Sequence, residues 1–172
     1  MNRYIYLDNA ATKPVSQEVL KAMQPYYYEI YANPSSTYRQ ASKSSYAVYE
    51  ARERIASLLG AKEEEILFTS GGSESNSWVI QGIAEAYKMN GNHIITSTIE
   101  HPSLLNACKA LEKRGYRVTY LSVDQNGLID LNDLEQAINE DTILISIMTV
   151  NNEVGSIQPI NRIGEIAKKH NV

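Results

Sequence analysis

The sequence predicts an α/β fold of three layers, in which helices cover both faces of a mostly parallel sheet. Two observations carry that prediction. Hydrophobic periodicity switches repeatedly between strand-like and helical along the chain. The later strand-like runs are also separated by segments of helix length, which calls for crossover connections and parallel pairing.

In chain order, a short strand over 5–7 comes first. A helix over 16–30 follows, with Pro14 and Ser16 as start signals and Val19, Leu20 and Met23 at helical spacing. The next helix, over 42–59, stops at Gly60, a residue suited to the left-handed C-terminal position. Then come a strand over 66–69, a helix over 74–89, a strand over 93–97, a helix over 103–114 and a strand over 117–123. A turn at Asp124-Gln125-Asn126-Gly127 leads to a helix over 131–139, a strand over 142–149 and a helix over 161–170. Ile163, Ile166 and Ala167 share one face of that last helix, and in such folds the helix feeds another strand, so a further strand is expected beyond Val172.

With 172 residues, 43% apolar and 21% charged, the chain has the composition of a globular protein able to bury an ordinary core. It contains no internal repeat, low-complexity tract or linker, so residues 1–15 read as an N-terminal segment and 16–172 as one domain. A formal charge of −4 offers no basic footprint for nucleic acid. No run reaches the length of a membrane span or signal peptide, which predicts a cytoplasmic protein without a membrane partner. The single cysteine, Cys108, excludes an internal disulfide framework and a cysteine-based metal site, and no metal is expected.

The most informative stretch is Ile66-Leu67-Phe68-Thr69-Ser70-Gly71-Gly72-Ser73-Glu74-Ser75-Asn76, where an apolar run breaks into small residues as a helical pattern begins. Such a junction lets backbone approach an anion closely and offers free helix N–H groups, to which the Ser70 and Ser73 hydroxyls add donors. An ordinary tight turn has the same wording. In open parallel sheets, ligands collect at the carboxyl ends of the strands. Ser70 to Ser73, Glu100-His101-Pro102 and Asn151-Asn152-Glu153-Val154-Gly155 all fall there, a set that suits a planar phosphorylated cofactor. Each has a plainer reading. His101 caps the helix that follows it, and the asparagines satisfy their own turn. Cys108, spaced helically with Leu104, Leu105 and Leu111, reads as a buried core thiol. Tyr26, Tyr27, Tyr28 and Tyr31 cover a helix end or a dimer surface, and Glu63-Glu64-Glu65 is a solvated loop.

Taken together, Tyr6-Leu7-Asp8-Asn9-Ala10-Ala11-Thr12, Asn33-Pro34-Ser35-Ser36, Thr69-Ser70-Gly71-Gly72-Ser73-Glu74, Ile94-Ile95-Thr96 with Glu100-His101, and Asn151-Asn152-Glu153-Val154-Gly155 resemble cysteine desulfurases of the nitrogen-fixation and iron–sulfur-assembly type. These are pyridoxal-phosphate enzymes of the class V aminotransferase superfamily. The resemblance runs in order from about Tyr4 to the last residue, and the set is specific where single motifs are not. It implies that residues 16–172 are an incomplete part of the large, cofactor-binding domain of such an enzyme. Gly72 and Ser73 then fall on the phosphate-binding turn, Ser73 keeping the hydroxyl of a family threonine. His101 falls on the residue that stacks on the pyridine ring and moves protons, and Asn152 on the one that bonds near the cofactor 3′-oxygen and the substrate carboxylate. Ala11-Thr12 and Asn33 to Ser36 fall toward the substrate side.

The reaction implied is removal of sulfur from L-cysteine, leaving L-alanine and an enzyme persulfide for iron–sulfur scaffolds or tRNA-thiolation proteins. A homodimer is implied for the full-length protein. The sequence departs from the family wording at Thr149, where relatives commonly have a histidine before the Asn pair, and at Tyr38 and Ala41, where they have a histidine and a glycine. The family's pyridine-nitrogen acid, Schiff-base lysine and persulfide cysteine are absent, and Lys13, Lys88, Lys109 and Lys168 lie in no Schiff-base context. The expectation is therefore the amino-terminal portion of a cysteine desulfurase, inactive alone. The alternatives are a non-catalytic dimerisation or docking module, or another class V enzyme such as a selenocysteine lyase or aminotransferase.

Overall fold

The computed structural model describes residues 5–172; Met1 to Tyr4, where the N-terminal segment begins, lie outside the described residues. The chain divides into two units, one ending at Phe68 and one spanning Thr69–Val172.

In the first unit, helix α1 (Gln17–Met23) starts where Ser16 accepts the Val19 N–H on its hydroxyl at 3.3 Å. The single helix expected over 16–30 is divided. Pro25 has no N–H to donate back along the helix, and a separate short helix, α2 (Pro25–Tyr28), begins on it. Helix α3 (Ala41–Leu59) ends as predicted at Gly60, whose φ of 66° places it in the left-handed region. It buries only Ala41, Ser44 and Ala56. Glu63–Glu65 form one 3-10 turn rather than an open loop.

Two expected strands are not formed. Residues 5–7 have no ladder partner among the described residues, and Leu7 is 83% exposed. Over 66–69 the backbone also has no partner strand among the described residues. The Ile66 carbonyl, which a strand would offer to a ladder, accepts instead from Arg52 Nε at 3.0 Å, while the Arg52 guanidinium lies 5.3 Å above the Phe68 ring.

The second unit carries the sheet. Strands β1 (His93–Ser97), β2 (Arg117–Leu121) and β3 (Thr142–Ser146) pair in the order β2-β1-β3, every pair parallel. Crossovers run through α5 (Pro102–Glu112) and α6 (Leu131–Ala137); α4 (Gly72–Ala86) precedes the sheet and α7 (Ile160–Lys169) follows it. Alternation along β1 divides the core. Ile94 belongs to a cluster with Ile80 and Ala84 of α4 and Leu104, Ala107, Cys108 and Leu111 of α5. Ile95 belongs to the opposite cluster, with Leu121, Ile129, Leu134 of α6 and Ile163 of α7. The register extends this across the sheet, because Val118 and Leu144 pair with Ile94 and share its cluster, while Ile145 pairs with Ile95 and shares the other. Helices thus cover both faces, as the alternating pattern predicts.

Element ends move where side chains take over backbone partners. Helix α6 stops at Ala137, not 139, because the Asn139 carboxamide donates to the Ala137 carbonyl at 3.3 Å and accepts from Asp141 N–H at 3.0 Å. Strand β2 stops at Leu121, and Val123 instead forms an antiparallel bridge with Ile129 around the turn at Asp124 to Gly127. Strand β3 stops at Ser146, since the Met148 N–H goes to the Glu100 carboxylate.

Candidate active site at the carboxyl edge of the sheet

Helix α4 opens on Gly71 and Gly72, and a Cβ added at either would meet nothing within 4 Å. The N–H groups of Gly72 and Ser73 and the Ser73 hydroxyl have no hydrogen-bond partner among the described residues. This leaves an open, donor-rich turn at the positive end of a 15-residue helix. The Ser70 hydroxyl is not among those donors. Glu74 folds back and accepts both Ser70 N–H at 2.6 Å and Ser70 Oγ at 2.7 Å, bonds that hold its carboxyl below the usual carboxylate range. Thr69 Oγ1 and Ser75 Oγ lie 2.7 Å apart, closing the turn from the other side.

His101 is exposed at the head of α5. Its Nδ1 accepts the Ser103 N–H at 3.1 Å, so the helix-capping role read from the sequence is realised. The Ser103 hydroxyl lies 2.8 Å from the same nitrogen and receives Asn76 Nδ2 of α4 at 2.8 Å, joining the head of α5 to the first turns of α4.

The two asparagines separate in role. Asn151 is 5% exposed and fully occupied: its Oδ1 accepts from Glu153 and Val154 N–H, and its Nδ2 donates to the Ile99 carbonyl at 2.9 Å. It therefore forms the self-satisfied turn that the sequence allowed, and ties the loop after β3 to the loop after β1. Asn152 is exposed, and among the described residues its amide bonds only to its neighbour's carboxylate, Glu153 Oε1, at 2.8 Å.

Glu100 is a neighbour of His101 to which sequence reasoning gave no role. It is 6% exposed and accepts Met148 N–H at 2.6 Å and Ser97 Oγ at 3.1 Å, bracing the ends of β1 and β3 beneath His101 in sequence. Burial pushes its carboxyl above the ordinary range, opposed by those two bonds. An acid directly before His-Pro in a strand-end loop was the available signal. Asn76 and Ser103 gave none, because their contact spans 27 positions. Cys108 is fully buried in the α4/α5 cluster, its thiol pushed up to about 11 chiefly by burial, which removes it as a nucleophile. All lysines are solvent exposed. Ala11-Thr12 and Asn33 to Ser36 belong to the first unit, where Asn33 Oδ1 accepts the Ser35 N–H at 2.9 Å.

Residues 5–172 match the family described as aminotransferase class-V. The chain belongs to that family. Among curated relatives of this class V aminotransferase chain, a cysteine desulfurase IscS from Methanosarcina thermophila is 53% identical over 99% of the chain and 42% of its own length. The cysteine desulfurase of Mus musculus is 47% identical over 99% of the chain and 37% of its own length. Among solved structures, a NifS-like protein superposes with a TM-score of 0.94 at 41% identity, covering 97% of the chain and 46% of that protein. SspA in complex with cysteine superposes with a TM-score of 0.92 at 46% identity, covering 97% and 48% respectively. The chain thus spans less than half the length of each of these relatives. No helix among the described residues is long and apolar enough to cross a membrane.

Proposed function

We propose that this chain forms the phosphate-binding and ring-facing part of the pyridoxal 5′-phosphate site of a cysteine desulfurase acting on L-cysteine. The observation that carries the reading is the turn at Gly72 and Ser73, whose two N–H groups and one hydroxyl are unspent among the described residues and whose glycines leave open space. That donor set fits a phosphate monoester. When bound, pyridoxal phosphate supplies an electron sink for bonds at the substrate α-carbon. Gly72 and Ser73 would hold its phosphate. His101 would stand over the ring and move a proton, and Asn152 would turn its amide from Glu153 to the ring oxygen and substrate carboxylate. The similarity to desulfurases at 47% and 53% identity, and to a structure of SspA holding cysteine, supports this substrate choice over selenocysteine or a transaminated amino acid.

The acid, lysine and cysteine that complete the reaction in the family have no counterpart at this edge among the described residues, so the 172 residues alone are read as releasing no sulfur from cysteine. The complete enzyme is read as a homodimer that passes sulfur to an iron–sulfur scaffold or a tRNA-thiolation protein. The location is read as cytoplasmic; a Drosophila relative is named mitochondrial.

Binding of pyridoxal phosphate and of pyridoxal, followed by absorbance, tests the cradle. The phosphate ester should bind more tightly. Ser73→Ala should weaken it roughly tenfold to a hundredfold, the worth of one hydrogen bond to a charged group at about 1.5–3 kcal/mol. Equal binding of the two ligands, or no effect of Ser73→Ala, would remove the phosphate assignment. Alanine production from cysteine by the 172-residue chain would remove the claim that it is inactive alone.

A further inference from the structure

The two ring nitrogens of His101 sit in different chemistry. Nδ1 accepts a backbone N–H from Ser103 at 3.1 Å, and a backbone N–H can only donate, so this long contact favours the lone pair of the neutral ring at Nδ1. The Ser103 hydroxyl, 2.8 Å from that nitrogen, must then give its proton to it as well. Doing so leaves the hydroxyl oxygen as an acceptor, and Asn76 Nδ2 fills that role from α4 at 2.8 Å. The chain of donors runs one way, from the Asn76 amide to the Ser103 hydroxyl to His101 Nδ1. The ring hydrogen is left on Nε2, which has no partner among the described residues. The bond between Asn76 and Ser103 is partly buried, which shields it from competing water, whereas His101 itself is exposed.

We propose that Asn76 and Ser103 are positioning residues for His101, setting the tautomer and angle of its ring so that Nε2–H is the group offered at the carboxyl edge of the sheet. As a role in catalysis this rests on the reading of His101 given above; as a statement about the imidazole it does not. The backbone cap alone orients Nδ1 weakly, because the one lone pair of Nδ1 is shared between that N–H at 3.1 Å and the shorter hydroxyl contact at 2.8 Å. The amide of Asn76 reinforces that direction, since it leaves the Ser103 hydroxyl only its proton to give. A carboxylate at position 76 can only accept, so it would draw the Ser103 proton to itself and turn the hydroxyl's lone pair toward His101. The ring would then be asked to donate from Nδ1, against only the longer backbone N–H contact.

The test is long-range proton–nitrogen correlation NMR of the protein labelled at its histidine nitrogens, with His101 assigned by its loss in His101→Ala. The unaltered protein should show a single Nε2–H tautomer for His101. Asn76→Asp should shift that signature toward Nδ1–H, and Ser103→Thr, which keeps the hydroxyl, should leave it as found. In a Ser103→Ala background, Asn76→Asp should have no effect. An unchanged tautomer in Asn76→Asp would overturn the proposal. So would an equal shift with and without the hydroxyl, since that would mark a through-space charge effect. If Asn76→Asp does not fold, Asn76→Ala replaces it, and an Nε2–H signature as complete as that of the unaltered protein would overturn the proposal equally. Pyridoxal phosphate binding measured on the same proteins separates the two readings. Tautomer coupling without any effect of His101→Ala on the bound cofactor's absorbance would retain the relay and remove the catalytic role of His101. The reverse pattern would retain that role and remove the relay.

Discussion

At the scale of single residues, Cys108 shows how burial decides chemistry that residue type leaves open. Its thiol is fully buried between α4 and α5 and raised to about 11 by desolvation, with Glu112 and Glu100 adding like charge to the unfavourable side. At pH 8 only about one thiol in a thousand would be ionised, and that one would be out of reach of reagent. A disulfide reagent should therefore leave the native chain unmodified and react fully in denaturant. Rapid reaction of the folded protein would mean that the α4/α5 cluster opens. Helical spacing with Leu104 and Leu111 made this position readable from sequence. The same spacing logic could not reach Asn76 and Ser103, whose meeting depends on how α4 and α5 pack, nor the bond of Glu100 to Met148 N–H, 48 positions away.

At the scale of elements, the sheet was legible and the extended segments of the first unit were not. Strand β1 spans the predicted residues because five consecutive positions are buried on both faces, a pattern that needs no partner information to recognise. Residues 5–7 and 66–69 have strand-like composition too, but a strand exists only with a ladder partner, and composition does not say whether one is present. Connections were legible only as turns, without their close approaches. Gly91, between α4 and β1, is one of these. A Cβ there would lie 2.2 Å from the Asp141 carbonyl oxygen. That oxygen is held by His93 N–H at 2.9 Å, and the Asp141 carboxylate is paired with Arg117 at 2.5 Å. The backbone has little room to retreat, so Gly91→Ala should destabilise the fold by about 1–3 kcal/mol, as overpacking does. Urea unfolding would measure it. A variant as stable as the parent would show that residues 139–142 can shift as a block.

At the scale of the whole molecule, acid response is expected to begin at the end of the sheet opposite the candidate site. His93 is 3% exposed, with Nδ1 2.8 Å from Thr142 Oγ1 and 3.1 Å from Asn139 Nδ2, and Nε2 2.8 Å from Thr119 Oγ1. Burial lowers its pKa, Arg117 adds to the effect and Asp141 opposes it. A histidine whose folded value lies below its unfolded value of about 6.5 contributes stability above that pH, and loses it as pH falls through the window toward the folded value. The carboxyls held low by hydrogen bonds, Glu74, Asp124 and Glu135 among them, lose their contributions at lower pH still. Glu100 acts with the opposite sign, since its raised carboxyl favours the folded state on acidification. Melting temperature should therefore begin to fall just below pH 6.5, and His93→Gln should flatten that first step while leaving the lower one. Retention of the first step in His93→Gln would assign it to another group.

The sheet register contains one further consequence. Thr142 pairs with His93 and Leu144 with Ile94, so Ile143 is a supernumerary residue bulged out of β3. Removing it would leave all the other pairs of β3 opposite their present partners, and Met148 within the same count of residues from Leu144. Loss of Leu144 or Ile145 would exchange the two faces of the remaining strand and carry the Glu100-bound amide out of phase. Over the history of such a strand, length can drift at its beginning while its end, which carries Asn151 and Asn152, keeps a fixed count.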